Sequence, residues 1–179
     1  MKHYSIQILG FLLFCICLGA CEDTLEQSKN IQPYEGPVST IFDVETLFSD
    51  SARLKIKLNA PLQLEYQNED RNFPKGVLIN FYNAKGQNHA RLTANKGRFI
   101  KKENRYIATG DVVVKNLLKK EQLNTEKLNW TPSDQTIFTD QFVTITTQKE
   151  ILKGKGLEAR QDFSQYKILK PTGEFVIKQ

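Results

Sequence analysis

The chain has 179 residues, with 25 Lys and Arg against 20 Asp and Glu, two His and three Cys. Its net charge of +5 is spread among both signs, which argues against the dense basic patch of a nucleic-acid binder. The length suits one domain, and no run after the first twenty residues is apolar enough to cross a bilayer.

In chain order the first element is Met1-Lys2-His3-Tyr4 followed by an apolar run from Ile6 to Leu18, in which Gln7 is the one strongly polar residue. About 13 residues of helix cover only ~20 Å, short of a ~30 Å hydrocarbon core. A basic start, a short apolar stretch and small residues at its end predict a secretory signal peptide over residues 1–20. Leu18-Gly19-Ala20-Cys21 then resembles the bacterial lipobox. That resemblance implies cleavage before Cys21 and acylation of its thiol, making Cys21 the lipidation site and the attachment to a membrane. Several acyl chains on one residue anchor stably where a single chain is marginal. Cys15 and Cys17 leave with the signal, so no disulfide partner remains, and the mature chain carries +4.

Residues 21–40 are polar, lack periodicity and hold Pro33, Gly36 and Pro37; they read as a tether, part of which could add an edge strand to the domain that follows. From Ile41 the texture is β. Leu54, Ile56, Leu58, Ala60, Leu62, Leu64 and Tyr66 alternate with polar residues, which is the period of a half-buried strand interrupted at Pro61. Turn clusters at residues 48–51, 83–86, 101–104, 131–134 and 160–162 separate the runs. Residues 116–127 have a helical composition, but their place between two strand runs predicts a hairpin with a long loop. No stretch reads as an amphipathic helix of three turns.

An internal repeat organises these strands. Leu58-Asn59-Ala60, Leu92-Thr93-Ala94, Leu123-Asn124-Thr125 and Leu157-Glu158-Ala159 recur at spacings of 34, 31 and 34 residues. Eighteen residues after each small residue stand Leu78, Val112, Val143 and Ile177. Each unit reads as two strands and a turn. A single hairpin cannot bury its apolar face, so stacked units are required to build a core. The phase predicts Val112, Val114, Val143 and Ile145 inward; it is ambiguous in the first copy, where Val77, Ile79 and Phe81 are apolar too. Gly76 and Gly110 share a repeat position and mark a bend or a close backbone approach.

The order of "LTANKGRF", "ATGDVVV", "LNTEKLNW", "FVTIT" and "GKGLEA" behind a signal and a tether resembles the LptC/OstA-like family of lipopolysaccharide export proteins. The resemblance covers residues 41–179 and implies an all-β fold: a twisted V-shaped β-jelly roll of stacked antiparallel hairpins, two sheets enclosing an apolar trough. It implies a periplasmic protein that accepts lipopolysaccharide from an inner-membrane ABC transporter and passes it to an LptA-like bridge. The lipobox departs from the family's uncleaved transmembrane helix, and the inner membrane is the expected site of the anchor.

On this reading Leu58, Leu64, Leu78, Leu92, Phe99, Val112, Val114, Leu128, Trp130, Val143, Ile145 and Leu157 line the trough for acyl chains, each buried CH₂ contributing about 0.8 kcal/mol. Lys96, Arg98, Lys101 and Lys102 would meet sugar phosphates or form a solvated face. The strand of Phe175, Val176 and Ile177 would dock the bridge protein by edge pairing, and residues 41–48 would face the transporter. No nucleophile elbow, phosphate loop or metal-ligand spacing occurs, and no cofactor or catalytic residue is expected. The alternatives are an outer-membrane lipid-binding lipoprotein with a closed barrel and a purely structural β-lipoprotein serving as a spacer.

Overall fold

The alternating pattern makes nearly the whole chain from Ser39 to Thr172 extended. The computed structural model describes residues 32–173. The predicted signal, Cys21, Phe175, Val176 and Ile177 lie outside the described residues. The strands are β1 (Ser39–Asp50), β2 (Arg53–Glu65), β3 (Arg71–Phe73), β4 (Val77–Tyr82), β5 (Asn88–Ala94), β6 (Lys96–Ile100), β7 (Arg105–Asn116), β8 (Glu121–Thr131), β9 (Thr136–Thr146), β10 (Ile151–Arg160) and β11 (Tyr166–Thr172). All pairings are antiparallel. Among the described residues the one helical element is a 3-10 turn at Lys101–Glu103, and no helix is long and apolar enough to cross a membrane. β1 begins two residues inside the segment read as a tether. The hairpin over residues 116–127 forms with a turn of four residues, 117–120, rather than a long loop.

The long strands each serve two layers. β2 pairs β1 along its whole length; on its other edge Ile56–Asn59 pair β4, whereas Leu64 and Glu65 pair β3. Between these stands Pro61, which has no N–H to give the ladder. Asp43 of β1, between the pairs Phe42–Leu62 and Val44–Ala60, has φ +50. β7 repeats the device. Its residues 105–109 pair β6 and its residues 113–116 pair β5, with Gly110 (φ +76) and Asp111 (φ +45) between them as a bulge. The registers of β8–β9 and β9–β10 shift at the same level, where Gly156 has φ +81. These irregularities lie in one line across the sheet and fold it into two arms. β2, β4, β5, β7, β6 and β3 pair in a closed circuit around the interior. The two sheets of the jelly roll are therefore two arms of one continuously paired sheet.

The repeat appears in the register: Leu92 pairs Val114, and Leu123 pairs both Val114 and Ile145. Val112, Val114, Val143 and Ile145 are buried, as their phase predicts. In the first copy Leu58 pairs Ile79, so Val77, Ile79 and Phe81 turn inward.

Candidate functional site

The residues assigned to the trough form the packed interior between the arms. Leu58, Leu92, Phe99, Val112, Val114, Leu128, Trp130, Val143, Ile145 and Leu157 are all buried in one cluster. Two are not, and each has a local cause. Leu64 is half-buried because the alternation changes phase at Pro61: Ala60 is buried before it, Gln63 after it. Leu78 is half-buried because its neighbours Val77 and Ile79 hold the inward face of β4. The void touching Val114, Ile145 and Leu157 measures only about 20 Å³, so this part of the interior is filled by its own side chains.

Open space lies in two places: a cleft of about 510 Å³ at the bend, along Asp43, Ala60, Gly76, Val77 and Ala94, and a larger one between the strand ends most distant from the bend. A cavity of about 700 Å³ is bounded on the first arm by Phe48, Phe81, His89 and Leu118 and on the second by Trp130 and Gln161. Its apolar floor is an aromatic cluster that joins the arms. Tyr106 stacks on Trp130 with ring centroids 4.8 Å apart and on Phe99 at 4.5 Å. Phe48 stands edge-on to both Tyr106 and Trp130 at 6.1 Å, and Phe81 edge-on to Trp130 at 6.2 Å. Such offset and edge contacts add to the burial of the rings themselves. Arg71 extends the row, its guanidinium 4.4 Å from the centre of Phe99. Burial pushes the Tyr106 phenol up, with Arg71 acting against it.

The rim of the cavity is polar. Trp130 Nε1 donates to Gln161 Oε1 at 3.0 Å, and Gln161 N donates to the Gln135 carbonyl at 2.8 Å. Both ring nitrogens of His89 are shielded from solvent and have no hydrogen-bond partner among the described residues. The bases expected to meet phosphates do not act together. Arg98 pairs Asp70 at 3.0 Å and Lys101 pairs Glu69 at 2.5 Å, while Lys96 and Lys102 make no ion pair among the described residues. Of the trough residues only Trp130 lines the large cavity. Phe48, Phe81 and His89 were not assigned to the site from sequence. Phe81 could have been found by extending the Val77-Ile79 alternation; Phe48 and His89 enter through contacts between arms, which leave no periodic signal.

An antiparallel sheet bent on itself into two arms, with an apolar core between them and a cavity between their free ends, is a β-jelly roll. Residues 8–172 match the family described as lipopolysaccharide-assembly, LptC-related, and the chain belongs to that family. It is thereby a member of a transport and bridging family in lipopolysaccharide assembly, facing the periplasm, rather than of a family of enzymes. No curated protein matches the chain.

Proposed function

We propose that the protein is a membrane-tethered carrier that accepts lipopolysaccharide from an inner-membrane ABC transporter and passes it to an LptA-like bridge. The supporting observation is the cavity between the arms, which has an aromatic floor continuous with the apolar interior and a polar rim. Acyl chains entering there gain about 0.8 kcal/mol per buried CH₂, and sugars and phosphates stay at the rim. The ten trough residues buried between the arms act as the wall against which the chains lie when the arms part; Trp130 and Phe48 meet them first. Acylated Cys21 holds the domain at the inner membrane. The edges do the docking. β1 pairs only β2, and β11 pairs only β10 among the described residues. β1 faces the transporter, and the segment of Phe175, Val176 and Ile177 docks the next jelly roll by edge pairing.

The test is a photoreactive residue at Phe48 or at Val143, with Phe142, 67% exposed on the opposite face, as control. Adducts with lipopolysaccharide in cells are expected at 48 and 143 and not at 142. A folded, exported protein with no adduct at 48 or 143 would replace the carrier with a rigid spacer. Deleting residues 172–179 is expected to abolish capture of the bridge protein and leave membrane attachment intact, whereas Cys21→Ala should do the reverse; pull-down and membrane fractionation separate the two.

A further inference from the structure

The outer face of the first arm carries bases that no acid answers. β5, β7, β8, β9, β10 and β11 lie side by side, and Arg91, Lys115, Lys153, Lys155 and Lys170 stand on them, all exposed and none in an ion pair among the described residues. Arg91 is next to the inward Leu92, Lys115 is next to the inward Val114, and Lys153 and Lys155 flank the inward Gly154, so the set shares the outward side. Gln122, Asn124, Thr144 and Thr146 fill the same rows on β8 and β9. The one acid of these rows is Glu45 on β1, and Lys57 takes it at 2.7 Å. Asp111, Glu126 and Asp140 stand at the bulges, on the margin of the patch.

This arrangement costs the sheet stability. Arg91 is directly opposite Lys115, and Lys155 is directly opposite Lys170. Like charges facing each other across a ladder are destabilising. On the outer face of the second arm the bases are answered instead: Arg98 pairs Asp70, Arg105 pairs Glu103 and Arg160 pairs Asp162, while Lys167 stands opposite Glu158. A face that repels itself is relieved by an anion from outside the protein. Among its lysines the same face exposes large apolar side chains. Phe142 is 67% exposed, with Lys155 Nζ 5.8 Å from its ring centre, and Ile151 is 61% exposed. Six strands at ~4.8 Å spread these groups over ~24 Å, which matches a plane of negative charge better than a single charged group.

We propose that this face seats the domain on an anionic phospholipid bilayer, with its lysines and arginine against the lipid phosphates and Phe142 and Ile151 among the upper parts of the acyl chains. Binding of this kind adds buried apolar area to attraction for anionic lipids. The lysine stems lie along apolar surface while their ammonium groups reach the phosphates. The tether alone leaves the domain free to turn, whereas a seated face gives it one orientation. The anchor at Cys21 keeps the face within reach of the bilayer, so contacts that are weak singly act together. The inference rests on that anchor and not on the passage of lipopolysaccharide.

The experiment reconstitutes the full chain, purified from membranes, into vesicles of phosphatidylcholine with or without phosphatidylglycerol, each containing a lipid spin-labelled on its head group. A fluorescent unnatural amino acid at position 142 or 151 reports contact by quenching, and one at position 158, on the outer face of the second arm, is the control. Quenching at 142 and 151 is expected to be severalfold stronger with phosphatidylglycerol than without, and unchanged at 158. It should fall to the neutral-vesicle level at ~1 M salt, where the Debye length is ~3 Å. The Lys115→Glu, Lys153→Glu, Lys170→Glu variant is expected to lose the gain, and the matching arginine variant to keep it. Equal quenching in the two kinds of vesicle, or a gain that survives charge reversal, overturns the seat. In cells, a photoreactive residue at 151 is expected to give phospholipid adducts; adducts with a protein or with lipopolysaccharide alone would assign the face to that partner and overturn it too. Flotation with the vesicles reports the anchor separately. A chain that floats unquenched overturns the seat alone, and a chain that does not float overturns the anchor and the seat together.

Discussion

Asp70 fastens one corner of the second arm. Its two carboxylate oxygens accept from Arg98 Nη2 and from the backbone N–H of Lys101, each at 3.0 Å, and so tie the β2–β3 connection to the β6–β7 turn. Burial raises its pKa, but those hydrogen bonds prevail and keep the carboxyl below its ordinary range. A lowered folded pKa contributes stability above the unfolded value of about 3.9, and that contribution is lost as pH falls through the folded value. Asp70→Asn is therefore expected to cost roughly 1–3 kcal/mol at neutral pH, little of it from the half-exposed Arg98. The gap in urea midpoint between the two proteins should close as the pH is lowered. Trp130 governs the opposite side of the same arm. Trp130→Ala removes the stacking on Tyr106 and strands Gln161, at an expected cost of about 3–5 kcal/mol. Because Trp130 is the sole tryptophan and is buried, its native emission should be blue-shifted.

At the scale of the element, the bent strand is the unit that builds this fold. A hairpin that stayed straight would cover one layer; a bulge at mid-length lets the same two strands cover both. Close approach is then needed where the outermost strand follows the bend. A Cβ on Gly154 would lie 2.3 Å from Ile168 Cγ2, 2.6 Å from the Lys170 carbonyl oxygen and 2.9 Å from Pro171 Cα. Two of those atoms are backbone, so β11 itself must move. Gly154→Ala is expected to loosen β11 from β10, with hydrogen exchange of the Tyr166–Thr172 amides accelerated at least tenfold and the β7–β9 amides unchanged. Protection of β11 equal to the wild type would show that the strand tolerates the shift. If the bridge protein docks on this end, the same variant should weaken its capture.

At the scale of the molecule, packing and opening are distributed along the arms. The interior beside Val114, Ile145 and Leu157 is dense, and the cost of creating a cavity there keeps the arms joined. Toward the free ends the contacts are aromatic and polar, and a volume large enough for a ligand remains. On the proposed carrier reading, an amphipathic lipid enters this cavity with its chains against the aromatic floor and its head group at the polar rim. On that reading the lipid is held without being engulfed.

The sequence by itself determined the all-β class, the hairpin repeat and the inward face of β7 and β9. These depend on a period of two residues, which is a local property readable from Val112, Val114, Val143 and Ile145. Turn chemistry was equally local, and Gly110 falls at the bend because only a few residue types accept a positive φ cheaply. Only the tertiary structure decided which way Leu64 and Leu78 face, since a single break at Pro61 or a one-residue change of register exchanges the two sides of a strand. It also decided that Phe48, Phe81, Tyr106 and Trp130 meet. Those neighbours are created by folding the sheet upon itself, and no spacing along the chain encodes a contact made across the fold.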